Sequence, residues 1–241
     1  MSTAVIAHRT CPRDAAENSL EGIRRAAELG AHIVELDARC TRDGVPILMH
    51  DPTTLRTTGA PWLARWISSE TARGLRLRKN GEPVPTLSDA LAALGPGSVP
   101  GREAGLGVAI DIKDPTAGPA VVDAVRVANV ESRVLLWSQH MDVVRFTARA
   151  APDLESALLR DTRHPARHQE FLDGAVEVGA RGVSAHWNAL SPEFVDAAAQ
   201  RGLSVYSWCK RRAALHEKLA LPLAGIVTDW PSEVRLALAG R

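Results

Sequence analysis

The sequence predicts an α/β protein built as a TIM-type (β/α)8 barrel, and three observations carry that prediction. Short, almost continuously apolar strands alternate with Ala-rich amphipathic helices, the pattern of a parallel sheet covered by helices. Glycine recurs where each helix should stop and the next strand begin. Ionisable residues gather at the ends of the strands, where barrels place their chemistry. No G-x-G-x-x-G or P-loop string marks a doubly wound alternative. The chain has 241 residues, close to the roughly 250 typical of one barrel, so a single barrel domain over 1–241 is expected.

The elements follow in order. Residues 4–7 read as the first strand. A helix at 19–29 has Ser19 as its N-cap, Leu20, Ile23, Ala26 and Ala27 as its apolar face, and Gly30 just past its end. The strand at 32–37 follows. Too few residues then separate Asp37 from the next strand at 46–49 for a helical crossover. Asp43-Gly44 is instead a hairpin signal, and a turn centred there puts Asp37 opposite His50. Residues 51–106 look irregular and read as an insertion over one end of the barrel, with a helix start at 86–91. Further strands are expected at 107–112, 133–137 and 154–159. Helix, glycine and strand then repeat at 173–178, 179 and 181–185, and again at 192–201, 202 and 203–207. The last copy runs from a helix at 213–221 to a strand at 226–228. Setting the returning strand aside leaves eight strands for the parallel barrel.

Composition narrows the function. With 45% hydrophobic and 24% charged residues the chain can bury a sizeable core, and its formal charge of +1 offers no footprint for nucleic acid or an anionic membrane. The three cysteines, Cys11, Cys40 and Cys209, have no metal-ligand spacing, and their odd number argues against a disulfide framework. No apolar run reaches the roughly 18 residues of a membrane span. The first residues lack the charged and apolar regions of a signal peptide, so a cytoplasmic location is expected.

The polar residues at strand ends suggest chemistry. His8 and Arg9 end the first strand, and His50 and Asp51 end the returning one. Glu35 and Asp37 share one face of the second strand, since side chains alternate. Asp111 and Lys113 end the strand at 107–112. Singly, each has a bland explanation as a structural histidine, a solvated strand end or an ion pair. Together, carboxylates converging on a barrel mouth repel one another and favour a divalent cation with oxygen ligands. Two histidines with Arg and Lys nearby suit an anionic substrate and proton transfer near neutral pH.

His8-Arg9, Glu17-Asn18-Ser19, Glu35-x-Asp37, Thr41-x-Asp43-Gly44, His50-Asp51, Leu55-x-Thr57-Thr58, Pro85-Thr86-Leu87, Asp111-x-Lys113 and Thr228-Asp229-x-Pro231 occur in this order. The series resembles the glycerophosphodiester phosphodiesterase family, a phospholipase-C-like barrel, from residue 4 to about 231. The resemblance implies that His8 and His50 are the general acid/base pair. It implies Glu35, Asp37 and Asp111 as ligands of one Ca²⁺ or Mg²⁺, with Mn²⁺ a further candidate. It sets Arg9 and Lys113 facing the phosphate and Trp208 lining the mouth. The implied reaction converts a small glycerophosphodiester to an alcohol and sn-glycerol 3-phosphate. Two alternatives remain at this point: an enzyme of phospholipase or sphingomyelinase type that releases a cyclic phosphate, and a phosphodiester-binding protein without turnover. Oligomeric state is left open.

The sequence departs from the family at Thr10, usually Gly, whose Cβ is expected to crowd the ligand, and at Ala16, usually Pro. It departs also at Asp111, usually Glu, which is shorter in reach by about 1.3 Å, on the order of half a metal–oxygen distance. Trp187 and Trp230 read as rim packing as readily as substrate walls, and His140 and His186 as structural residues. Cys11 has no partner motif for a nucleophile, and residues 163–168 read as a solvated basic loop.

Overall fold

The computed structural model describes residues 3–94, 105–209, 212–214 and 216–240. Its strands are β1 (Ala4–Ala7), β2 (Ile33–Cys40), β3 (Pro46–Leu48), β4 (Gly107–Ile112), β5 (Val134–Ser138), β6 (Glu155–Arg160), β7 (Gly182–His186), β8 (Ser204–Cys209) and β9 (Gly225–Thr228). All except β3 pair in parallel, and β1 bonds both β2 and β9, which closes an eight-stranded barrel. β3 pairs antiparallel with β2 alone among the named strands, as the hairpin signal predicts.

The helices are α1 (Leu20–Glu28), α2 (Leu55–Thr58), α3 (Ser69–Gly74), α4 (Leu87–Ala93), α5 (Gly118–Ala128), α6 (Met141–Ala150), α7 (His168–Glu177), α8 (Pro192–Gln200) and α9 (Pro231–Ala239). Ser19 caps α1 by accepting from the Gly22 N–H, and Thr86 and Asp89 form a reciprocal capping box on α4. Two large clusters, one around Val34, Leu36, Ile110 and Val121 and the other around Val183, Val205, Phe194 and Leu172, fill the space between helices and barrel wall. Ile6, Ala109, Leu135, Trp137, Ala157, Tyr206 and Val227 fill the barrel itself. No described helix is long and apolar enough to cross a membrane.

The structure corrects the hairpin register by one residue. Ala38 pairs with Leu48 and Cys40 with Pro46, so Asp37 lies opposite Met49, whose N–H donates to the Asp37 carbonyl at 2.9 Å, and not opposite His50. The reason is the loop. Thr41 and Val45 still bond across the turn (N···O 3.1 Å), leaving the odd-numbered loop Arg42-Asp43-Gly44 with Gly44 left-handed at φ 78°. That is a three-residue connection with glycine at its left-handed position, not the two-residue Asp-Gly turn. Asp43 anchors it by accepting from Thr41 Oγ1 (2.6 Å) and from the Ser69 hydroxyl (2.8 Å), which hold its carboxyl down to about 2.

Two further expectations change. The helix expected at 213–221 is absent among the described residues, which exclude 215; a single 3-10 turn at Arg212–Ala214 is followed by turns at 216–220. Lys218 Nζ is drawn instead to the Trp187 and Leu190 carbonyls (2.9 and 2.6 Å), while Leu219 and Leu223 are buried, so tertiary contacts outweigh helix propensity here. Within 51–106, of which 95–104 lie outside the described residues, α4 packs into the main core through Leu87, Ala90 and Leu91. Only the part before it builds its own small cluster, from Ala64, Ile67, Ala72, Leu77 and Val84 against Ile47 and Met49.

Thr10 does not crowd the barrel mouth. It is fully buried, and its Oγ1 accepts from the Ser19 N–H at 3.2 Å. It packs on Gly22, where an added Cβ would lie 2.2 Å from the Thr10 carbonyl oxygen. Gly22→Ala is therefore expected to destabilise the fold by about 1–3 kcal/mol through overpacking. The melting temperature should fall by roughly 3–10 °C, and scanning calorimetry against wild type checks it.

Candidate active site

The side chains at the C-terminal ends of the barrel strands enclose a cavity of about 190 Å³. His8, Arg9, Glu35, Asp37, His50, Asp111, Lys113 and Trp208, all singled out from sequence, line it. Asp37 and Asp111 are level across the β2–β4 pair, and Glu35 is two residues below Asp37 on the same inward face. One carboxylate oxygen from each of Glu35, Asp37 and Asp111 lies within 4.8 Å of the others. The shorter Asp111 thus reaches the cluster.

Burial dominates the electrostatics. Glu35 is pushed well above the carboxylate range, first by loss of water and then by Asp37 and Asp111. Asp111 is raised too, chiefly by burial, although Lys113 opposes the shift. Burial also acts on Asp37, but Lys113, Arg9, His50 and the hydrogen bond from Asn18 outweigh it and hold Asp37 well below its usual value. Lys113 Nζ donates to Asp111 Oδ2 and lies 3.0 Å from Asp37 Oδ1 as an ion pair, and these carboxylates keep it charged despite its burial.

Local backbone supports the same cluster. Arg9, Thr10 and Cys11 take φ of 42°, 60° and 66°, a left-handed run that costs non-glycine residues about 1–2 kcal/mol each. The turn aims the Arg9 N–H at Glu35 Oε2 (2.7 Å). Arg9 Nε lies 3.4 Å from Asp37 Oδ2 without hydrogen-bond geometry. Asn18, also left-handed at φ 54°, grips Asp37 twice: its Nδ2 donates to Oδ2 (2.8 Å) and its Oδ1 accepts from the Asp37 N–H (2.9 Å).

Both histidines have a carboxylate behind them, a feature the sequence reading quoted as motifs without assigning. His8 Nδ1 is 2.6 Å from Asp229 Oδ1, and His50 Nδ1 is 2.7 Å from Asp51 Oδ1. Each ring therefore has Nε2 as its remaining nitrogen. Arg56 ties Asp51 in place, donating to its Oδ2 at 2.6 Å while forking onto Glu17 at 2.6 and 2.8 Å. Arg56 and His50 hold the Asp51 carboxyl down to about 2. Arg39 donates to the His50 carbonyl at 2.9 Å. Burial lowers the His50 pKa below its ordinary value, against the opposing pull of Asp37 and Asp51.

The remaining candidates sort as follows. Trp187 is buried, with its N–H on the Ala214 carbonyl (3.0 Å), and Trp230 lies under the Arg13 guanidinium at 5.1 Å. His140 pairs with the Lys113 carbonyl (3.1 Å), and His186 accepts from the Asn188 N–H (3.0 Å). Burial pushes the Cys11 thiol up to about 12, so it is inert. The 163–168 loop is largely exposed. Trp137, Leu159, Asp161, Ser184 and Val227 complete the cavity wall, and nothing in the sequence beyond strand alternation marked them.

Three buried carboxylates with one oxygen, Asp111 Oδ1, lacking a hydrogen-bond partner among the described residues are compatible with a divalent metal ion. The linkage follows from the raised groups. With Glu35 and Asp111 above their unfolded values, the metal-free fold loses stability as pH rises from the ordinary carboxylate range toward those raised values. A bound cation would relieve that cost. Calcium or magnesium at about 100-fold over its Kd should stabilise by about 2.7 kcal/mol, raising Tm by roughly 5–10 °C. The increment should grow from pH 5 to pH 8 and vanish in Glu35→Gln/Asp111→Asn; thermal melts with and without chelator test this.

The glycerophosphoryl diester phosphodiesterase family model matches residues 8–233. A glycerophosphodiester phosphodiesterase of Caldanaerobacter subterraneus subsp. tengcongensis is 27% identical over 96% of this chain and 96% of its own length. Human glycerophosphodiester phosphodiesterase 1 is 44% identical over 97 residues, which is 37% of this chain and 29% of that protein. The Parabacteroides distasonis glycerophosphodiester phosphodiesterase structure superposes with a TM-score of 0.82 at 24% identity, covering 100% of this chain and 98% of that one. An Oleispira antarctica phosphodiesterase, solved in complex with the product sn-glycerol 3-phosphate, superposes with a TM-score of 0.84 at 18% identity, covering 99% and 97%. A match over nearly the whole chain, on a shared barrel, makes this protein a member of the glycerophosphoryl diester phosphodiesterase family, a family of phosphodiesterase enzymes.

Proposed function

We propose that this chain hydrolyses glycerophosphodiesters to an alcohol and sn-glycerol 3-phosphate, with His8 and His50 as its acid/base pair. The observation that carries the reading is the cavity, which gathers both histidines, three carboxylates, Arg9 and Lys113 around one small volume. Glu35, Asp37 and Asp111 would hold a divalent cation, Ca²⁺ or Mg²⁺ first and Mn²⁺ as a further candidate, which supplies a Lewis acid for the charge on the non-bridging phosphate oxygens. Arg9 and Lys113 add fixed positive charge on the same wall.

His50, whose burial favours the neutral imidazole at neutral pH, takes a proton from the water that attacks phosphorus as the bond to the departing alcohol breaks. His8, its ring oriented through Nδ1 by Asp229, delivers a proton to the departing alcohol from Nε2. Thr10 and Asp111, the departures that made a binding protein without turnover an alternative, lose that force: the Thr10 side chain packs on Gly22, and Asp111 reaches the cluster. The test is release of sn-glycerol 3-phosphate from a panel of glycerophosphodiesters with Ca²⁺, Mg²⁺ or Mn²⁺ and with chelator. Turnover abolished by chelator is expected; a persistent cyclic phosphate as end product would overturn simple hydrolysis.

His8→Ala and His50→Ala should each lower kcat/KM by about 10²–10⁴, with melting curves showing an intact fold. The acid limb of the pH profile of kcat/KM should lie below pH ~6.5, the ordinary histidine value, because burial depresses His50. The Asp51 carboxylate raises the His50 pKa, so Asp51→Asn should move that limb to still lower pH, and a shift upward would contradict the assignment.

A further inference from the structure

The cavity has two walls of different chemistry. Its histidines, its basic residues and the three clustered carboxylates lie on or just after β1, β2, β3 and β4, whereas the segments from β5 to β9 contribute Trp137, Leu159, Asp161, Ser184, Trp208 and Val227, of which Asp161 alone is charged. On this second wall, Trp137 and Ser184 are 2% and 1% exposed, and neither Trp137 Nε1 nor Ser184 Oγ has a hydrogen-bond partner among the described residues. Natural structures rarely bury such groups without satisfying them, and an unmatched one points to a ligand that completes it. The Trp137 ring is held edge-on against Tyr206 at a centroid distance of 5.8 Å, and Trp137 is level with Asp111 across the β4–β5 pair.

We propose that Trp137 Nε1 and Ser184 Oγ form a subsite for the two free hydroxyls of the glycerol half of the substrate. The inference rests on the phosphodiesterase reading of the same cavity and adds residues that select the substrate. An indole N–H can only donate, so its partner is an oxygen acceptor; a serine hydroxyl both donates and accepts. A vicinal diol offers one hydroxyl to each. A second phosphate would suit this wall poorly: its apolar and aromatic members, Leu159, Val227 and Trp208, supply no positive charge, and Asp161 is acidic. The wall's aromatic faces suit the carbon skeleton of a polyol.

The test compares sn-glycerol 3-phosphate with methyl phosphate, an ester with the same phosphate and no hydroxyls. Calorimetric titration of the metal-loaded wild type should show at least about tenfold tighter binding of sn-glycerol 3-phosphate, the scale of one or two buried hydrogen bonds. Trp137→Phe and Ser184→Ala should each shrink that preference about 5- to 50-fold, mainly by weakening sn-glycerol 3-phosphate. Melting curves establish that the variants are folded, and should Trp137→Phe fail to fold, Ser184→Ala, which removes one oxygen, decides alone. A preference unchanged in the folded variants, or a wild type that binds the two esters equally, overturns the subsite. In either case, continued metal-dependent release of sn-glycerol 3-phosphate from diesters would show that the reaction itself stands. A wild type that binds neither ester and turns over no glycerophosphodiester overturns the subsite together with the reading beneath it.

Discussion

Holding three carboxylates out of water within one small cavity is the constraint around which the N-terminal half of this molecule is arranged. With all three ionised, Arg9 and Lys113 leave one negative charge uncompensated in a place where solvent cannot screen it. The backbone answers with what it has. A left-handed turn after β1 delivers an N–H to Glu35, and Asn18 folds its side chain onto both the carboxylate and the N–H of Asp37. Lys113 spans the two aspartates. These ties hold the acids together, yet leave an unpartnered oxygen on Asp111 and raised Glu35 and Asp111 carboxyls, an arrangement a divalent cation would complete.

The two histidines reach this cluster by different routes. His8 simply follows β1, and its carboxylate partner Asp229 follows β9, the strand that closes the barrel beside β1. Barrel closure therefore brings together residues 221 positions apart. His50 depends on the antiparallel return and on the chain of ion pairs from Glu17 through Arg56 to Asp51. The short helix α2 that carries Arg56 thereby links the first segments of the insertion to the orientation of the His50 ring.

Much of this was legible from residue types and spacing. Strand positions came out within a residue or two, apart from β2, which runs three residues past the expected end at Asp37, since buried parallel strands are nearly continuous apolar runs. The polar residues interrupting those runs marked the charged wall. The Ser19 cap was legible for a local reason, a side-chain oxygen placed before an apolar periodicity, and the helix start at 86–91 was legible too, with Thr86 as its cap. What escaped depends on tertiary context. The 213–221 segment has helical composition, but Lys218 finds better partners in two carbonyls of a neighbouring loop. The carboxylates behind the histidines stood in the quoted motifs, yet only the fold pairs His8 with Asp229. Trp137 and Ser184 sit in strands where an inward-facing residue resembles any other core residue, so nothing but the cavity distinguishes them.

The odd loop between β2 and β3 also bears on how such chains can diverge. Ile47 and Met49 face the small cluster of the insertion, while Leu48, between them, faces the main core. Because side chains alternate along a strand, slipping β3 by one residue against β2 would exchange those two faces. It would bury the wrong residues on both sides and turn His50 away together with them. Length variation at this turn leaves the site intact only where Thr41 and Val45 still close the hairpin, so the closing pair, more than the number of residues between, is what an insertion or deletion must conserve.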